Sequence, residues 1–176
     1  MRLVPSMTST AIHCVSVVRL AIAAPLLFAA QAACAGDARA PEFLGSPDPA
    51  AATLPFSEAV RSGDLLFLSG QIGTVPGSGN ALAKGGIRAE AEQTLVNIRS
   101  VLERHGASMR DVVKCTVFLA DIAEWPAFNE VYRTHFSAPF PARSALAASG
   151  LAMGAKVEVE CIAHVAAPAA SPSRKR

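Results

Sequence analysis

The stretch VEVECIAHV, from Val157 to Val165, alternates strongly between two sets of residues. A β-strand places successive side chains on opposite faces, so this stretch predicts a strand with two different faces. One face carries Val157, Val159, Cys161 and Ala163, and the other carries Glu158, Glu160, Ile162 and His164. Two glutamates cannot both point into an apolar core at modest cost. We therefore interpret Glu160 as a rim or ion-paired carboxylate, and leave the role of Glu158 to its surroundings.

Further strands are predicted on either side of the chain's middle. The β-branched run DVVKCTVFLA, from Asp111 to Ala120, predicts a buried strand. Upstream, residues 56–73 predict a hairpin whose second strand runs from Leu65 to Ser69 after a Ser-Gly-Asp turn. Residues 144–149 are a further strand candidate.

Two helices alternate with these strands. The first has an apolar stripe at helical spacing and ends at Gly106: Ile87, Ala91, Leu95, Ile98 and Leu102. The second begins near Asp121 as its cap, with Pro126 in its first turn. Its stripe is aromatic and predicts core packing: Trp125, Phe128, Tyr132 and Phe136.

The resulting order, ββ-α-β-α-ββ, predicts an α+β fold in which two helices cover one face of a mixed sheet. A domain of this length has no spare helix for the second face of the sheet. We therefore expect a second copy of the chain to cover it, and predict a homo-oligomer.

An arginine that follows two prolines and precedes a small polar residue is the strongest candidate for a binding residue. In PFPARS, from Pro139 to Ser144, the prolines fix the backbone that leads into Arg143. A guanidinium held in this way can grip a carboxylate through two parallel hydrogen bonds.

The ends of the 176-residue chain have a different character. Residues 1–35 have an apolar run behind Arg2 and Arg19 and end in Ala-Cys-Ala, which predicts a secretory signal peptide. The apolar run is too short for a membrane span, so we expect no membrane association after cleavage and a periplasmic or secreted protein. Residues 36–54 are predicted to be a flexible linker, residues 55–166 the folded domain, and residues 167–176 a disordered basic tail.

Charge and cysteine content narrow the function classes. The net charge is +2, and the leader holds two arginines and no acidic residue, so the mature chain is neutral and no nucleic-acid partner is expected. No histidine or cysteine spacing indicates a metal site. Two cysteines remain after the leader, Cys115 and Cys161. In an oxidising compartment these two could pair, but because a thiol in a strand is usually a buried small hydrophobe, we favour two unpaired thiols.

Seven segments, in order, carry a resemblance to a known family. They are LPFSEAV (54–60), LFLSGQIG (66–73), QTLVNI (93–98), DVVKCTVFLAD (111–121), FNEVYRTHF (128–136), PFPARS (139–144) and VEVECIA (157–163). Together they make the chain similar to the Rid family of reactive-intermediate deaminases, the YjgF-type proteins. The resemblance implies a chorismate-mutase-like fold and a homotrimer whose sheets line a central barrel, with one ligand cleft at each subunit interface.

The resemblance also implies a reaction and a site. The reaction is hydrolysis of small imino or enamine acids, such as 2-aminoacrylate, to 2-keto acids and ammonia, without a metal or organic cofactor. By the same resemblance, Arg143 binds the substrate carboxylate. The resemblance further implies that Glu158 orients the attacking water and passes a proton to the departing amine. The remaining matched positions are pocket residues: Phe56, Ser69, Gly70, Asn129 and Ala145.

Some positions depart from the family pattern. Phe56 stands where tyrosine is common, Glu58 where glutamine is frequent, and Ala145 where cysteine is frequent. These changes make the pocket more apolar and bear on substrate range more than on activity. A non-catalytic module that binds a small carboxylate or keto acid in the same cleft is the alternative function.

Overall fold

The computed structural model describes residues 40–165. The predicted signal peptide, the basic tail, Cys14 and Cys34 lie outside the described residues. The elements, in chain order, are β1 (Glu42–Leu44), β2 (Ala59–Ser62), β3 (Leu65–Leu68), β4 (Gln71–Ile72), α1 (Ile87–Arg104), β5 (Val112–Leu119), α2 (Trp125–His135), β6 (Ala142–Ala147) and β7 (Val157–His164). Within residues 40–165 no helix has the length and apolar character to cross a membrane.

The seven strands form one mixed sheet in the order β1-β2-β3-β7-β5-β6, and β4 also pairs with β7. Strands β5 and β6 run parallel. Every other pair of strands in the sheet is antiparallel. The mixed sheet and the two helices confirm the predicted α+β architecture. The strand that carries Glu158 lies in the interior of the sheet, whereas the strand that carries Arg143 lies at its edge.

The core lies between the helices and one face of the sheet. The alternation of β7 is confirmed, because Val157, Val159, Cys161 and Ala163 are buried and the residues between them are not. The stripe of α1 meets this face with Ala91, Leu95, Ile98 and Leu102. Burial of so many aliphatic side chains is the main stabilising contribution to a domain of this size.

The second helix and the sixth strand differ from their predicted bounds. Asp121 caps a short 3-10 turn, Ile122–Glu124, and α2 begins only after that turn. Trp125 is therefore the first residue of α2, and 36% of its surface is exposed. The prediction that Trp125 packs in the core is wrong. Strand β6 begins at Ala142, which places Arg143 inside a strand and not in the turn before it.

The segment predicted to be a linker contains regular structure. Strand β1 lies within residues 36–54 and pairs with β2, so that Phe43 faces Val60 and Leu44 faces Ala59. A 3-10 turn follows at Pro49–Thr53. The sequence EFL is too short to show periodicity, and only its pairing with β2 stabilises it as a strand.

Cys115 and Cys161 form a disulfide, and the prediction of two unpaired thiols is wrong. The two residues face each other on neighbouring antiparallel strands, and their Cα atoms are 4.1 Å apart. Cross-strand neighbours of this kind are close enough for a bond. The sequence does not reveal that β5 and β7 are adjacent, which is the reason for the error.

Within residues 40–165 no helix covers the second face of the sheet, opposite α1 and α2. This open face carries exposed apolar side chains, among them Phe43, Phe67 and Leu146. A large apolar surface without cover is typical of an interaction site. The homo-oligomer stays a prediction that this open face supports.

Candidate active site

Glu158 and three other predicted pocket residues line one large cavity. Its volume is about 720 Å³, and its wall includes Phe56, Ser69, Gly70 and Glu158. The cavity lies where the loop before β2, the loop around Gly70 and the 3-10 turn Ala152–Gly154 come together. Four of the seven predicted site residues are thus brought together by the fold.

The carboxylate of Glu158 is packed against the backbone of Gly70. A Cβ atom added at Gly70 would lie 2.0 Å from Oε1 of Glu158, so only glycine allows this approach. Within residues 40–165 no group donates a hydrogen bond to this carboxylate. Burial raises the pKa of Glu158, and repulsion from Glu160 adds to the increase. A carboxylate with a raised pKa and no partner is suited to exchange a proton with a ligand.

The loop between β3 and β4 is tied to the segment that carries Phe56. The Ser69 hydroxyl donates to the Ser57 carbonyl oxygen over 2.7 Å, and the Ser69 amide donates to the Glu58 carbonyl oxygen. The Ser69 oxygen keeps its lone pairs for a ligand. Phe56 lines the cavity and is 58% exposed.

Glu58 anchors this segment to the end of α1. Its carboxylate accepts two hydrogen bonds from the Arg104 guanidinium and one from His105 Nε2. Burial alone would raise the pKa of Glu58, but the hydrogen bonds from Arg104 and His105 outweigh it and lower the pKa. Glu58 is therefore an ionised, fully engaged carboxylate whose contacts hold the cavity wall in place.

Arg143 lines a second and smaller cavity of about 280 Å³, together with residues of α2 and of the loop before β6. Its guanidinium lies over the ring of Tyr132, with the central carbon Cζ 4.6 Å from the ring centroid. The same carbon lies 5.8 Å from the ring centroid of Phe128. One of its amino groups donates to Asn129 Oδ1 over 2.7 Å. Within residues 40–165 no carboxylate pairs with Arg143. A guanidinium held on aromatic rings without a carboxylate partner is ready for an anionic ligand.

Tyr132 is a site residue that the sequence did not indicate. Its position in an aromatic stripe predicted core packing, and its side chain is indeed 4% exposed. Burial raises the pKa of Tyr132 to about 12, while the charge of Arg143 acts in the opposite direction, so the hydroxyl stays neutral. The ring therefore serves both the core and Arg143. Only the contact itself reveals the second role.

Arg143 and Glu158 lie on opposite faces of the sheet. Arg143 is in register with Cys115, whose side chain points into the core under the helices. Glu158 is three residues from Cys161 along β7, and an odd separation places it on the other face. The two residues also line separate cavities. One chain therefore carries two half-sites that do not face each other.

The two remaining predicted residues have different positions. Asn129 lines the cavity of Arg143 and holds its guanidinium. Ala145 lies on the same face of β6 as Arg143, where it packs against the core and lines neither of these cavities. Residues 40–165 contain no cluster of three or more His, Cys, Asp or Glu side chains placed to hold a metal ion.

Comparisons with known proteins agree on one family. The model of the family described as endoribonuclease L-PSP matches residues 46–165. The chain is 41% identical over 113 residues to Reactive Intermediate Deaminase A, chloroplastic, of Arabidopsis thaliana, and this match spans 64% of the chain and 60% of that relative. It is 44% identical over 113 residues to the 2-iminobutanoate/2-iminopropanoate deaminase of Capra hircus. This match spans 64% of the chain and 82% of that relative.

The solved structures give the same result. A crystal structure of RidA from the Antarctic bacterium Psychrobacter matches with a TM-score of 0.61 and 37% identity, and the match covers 64% of this chain and 90% of that one. Residues 46–165, which the family model matches, contain both half-sites.

Proposed function

The chain belongs to the endoribonuclease L-PSP family, and on this premise we propose that it hydrolyses small 2-imino acids and their enamine tautomers to 2-keto acids and ammonia. Relatives that are 41–44% identical carry the name 2-iminobutanoate/2-iminopropanoate deaminase. The observation that carries the proposal is the guanidinium of Arg143, which is stacked on Tyr132 in a cavity and has no carboxylate partner within residues 40–165. Such a group fits the carboxylate that every 2-imino acid contains. The neutral charge expected of the mature chain gives no support to RNA cleavage.

The proposed reaction needs three steps. Arg143 binds the substrate carboxylate through two charged hydrogen bonds and places the imine carbon beside Glu158 of the complete site. The substrate reacts as its protonated iminium: Glu158 accepts a proton from a water molecule as the water oxygen bonds to the iminium carbon, and the C=N electron pair moves to the nitrogen. Glu158 then gives this proton to the amine nitrogen. As the C–N bond breaks, Glu158 takes the proton of the new hydroxyl group, the carbonyl of the 2-keto acid forms, and ammonia leaves and carries that proton away as ammonium. The raised pKa of Glu158 suits a group that both takes and gives a proton.

We further propose that each active site forms between two copies of the chain in a homotrimer. The cavity of Arg143 on one copy would meet the cavity of Glu158 on the next. Two observations support this arrangement: the half-sites lie on opposite faces of one sheet, and the open face exposes apolar side chains. A heterologous contact of this kind closes into a ring with one site per interface.

We also propose that the protein works in the periplasm or outside the cell. The predicted signal peptide is the first support, and the disulfide between Cys115 and Cys161 is an independent one. Disulfides persist in oxidising compartments and are rare in the cytosol.

The test is release of ammonia and keto acid by a protein that starts near Gly36. The imino acids are generated in situ by an amino-acid oxidase, and the Arg143→Ala variant is measured beside the wild type. We expect release above the uncatalysed rate, and its loss in the variant. Binding of 2-oxobutanoate without any acceleration would instead favour a carboxylate-binding module.

A further inference from the structure

The oxygen of the Asn129 side chain accepts two hydrogen bonds. One comes from Arg143, over 2.7 Å, and the other from the indole N–H of Trp125, over 3.0 Å. Trp125 and Asn129 are four residues apart on α2 and therefore lie on the same side of the helix. Trp125 does not line the cavity of Arg143, so its indole acts on that cavity only through Asn129.

These two contacts fix which way the amide points. An indole N–H and a guanidinium can only donate, so both require the oxygen of the amide and exclude its nitrogen. With Oδ1 doubly engaged, the two donors of Nδ2 lie on the other side of the amide. Within residues 40–165 no group accepts a hydrogen bond from Nδ2. Asn129 itself lines the cavity.

We propose that Trp125 is a positioning residue that locks the amide of Asn129, so that its oxygen aims Arg143 and its nitrogen presents a second donor to the substrate. This inference rests on the proposed function and deepens it, because it assigns a two-part binding group. The guanidinium takes the carboxylate, and the amide nitrogen takes an acceptor atom next to it. A 2-keto or 2-imino acid has such neighbouring acceptors.

Without the indole N–H, the amide loses one of the two contacts that define its orientation. The Trp125→Phe variant keeps an aromatic ring and removes only the N–H. We expect KM for 2-iminobutanoate to rise about 2- to 10-fold, as for loss of one neutral hydrogen bond, with a smaller change in kcat. The melting temperature should change little, because the N–H bond is at a partly exposed position.

A double-mutant cycle separates this role from simple packing. In an Asn129→Ala background there is no amide to orient, so Trp125→Phe should cause no further rise in KM. An equal effect of Trp125→Phe in both backgrounds would show that the indole acts by packing and would overturn the proposal.

A second readout needs neither activity nor ligand. The chain has one tryptophan, so its spectrum contains a single indole N–H resonance from the side chain. We expect Asn129→Ala to shift this resonance and to speed exchange of the proton with water. An unchanged resonance would refute the hydrogen bond. If the wild type releases no ammonia, the proposed reaction fails. The role of Trp125 is then still decided by this resonance and by the dissociation constant for 2-oxobutanoate, measured in the wild type and in the variants.

Discussion

Two inactive variants of this protein should restore activity when they share one oligomer. Arg143→Ala removes the carboxylate clamp and Glu158→Gln removes the proton carrier, so each variant alone should be nearly inactive. Loss of two charged hydrogen bonds in Arg143→Ala corresponds to about 3–6 kcal/mol, or roughly a 10²- to 10⁴-fold decrease in kcat/KM. Because the two residues lie in separate cavities on opposite faces, the intact groups of different copies can still meet.

The size of the recovery follows from the geometry. In the proposed ring of three, each site takes Arg143 from one copy and Glu158 from the next. A trimer that contains both variants has two copies of one and one copy of the other, so only one of its three interfaces joins an intact Arg143 to an intact Glu158. About one third of the sites should then be complete, and about one third of wild-type activity should return.

The assay is ammonia release by co-expressed variants carrying different affinity tags, purified in two steps so that every oligomer contains both. The control pairs Arg143→Ala with the double variant Arg143→Ala/Glu158→Gln, which can form no complete site and should stay inactive. Mixed oligomers without recovery would refute the shared site. Full activity in a monomeric preparation of the wild type would refute it as well.

Three further outcomes are expected. Replacing Cys115 and Cys161 by alanine removes a cross-link between residues with a sequence separation of 46. The free energy of unfolding should fall by about 4 kcal/mol, which a urea titration would show as a lower midpoint. An unchanged midpoint would contradict a stabilising role of the disulfide. Gly70→Ala should displace the Glu158 carboxylate and reduce kcat while the protein stays folded. Gly150→Ala is the control, because its Cβ would meet no atom within 4 Å, and it should leave kcat unchanged. Burial raises the pKa of Glu158 in the separate chain, so its ionisation lowers the free energy of unfolding as the pH rises from the unfolded-state pKa to the folded-state pKa. Measured at a protein concentration low enough to keep the chains apart, Glu158→Gln should therefore raise the melting temperature at pH 7. The gain should vanish below about pH 4, where the carboxyl is protonated in both states, and a gain independent of pH would contradict the assignment.

Much of the fold was predictable because its signals are local. The alternation from Val157 to Val165 predicted which side chains enter the core, and the stripe of α1 predicted the buried face of that helix. The prolines before Arg143 predicted a stiff backbone leading into this residue, whereas the contacts with Tyr132 and Asn129 that hold its guanidinium came only from the structure.

The features that the sequence did not predict all depend on which strands are neighbours. Cys115 meets Cys161 only because β7 lies beside β5. The position of Arg143 across the sheet from Glu158 likewise follows from the register of three strands. No local pattern contains this information, since it arises when distant segments pair.

The placement of Arg143 and Glu158 on opposite faces has a consequence for the amount of protein needed. In the proposed shared site, a newly made chain would hold every chemical group of the reaction and still be inert until it meets another copy. Turnover per molecule should therefore fall on dilution, at a concentration set by the association constant. Any change that weakens contact between copies would then act as an inhibitor, even when every group in both cavities is intact.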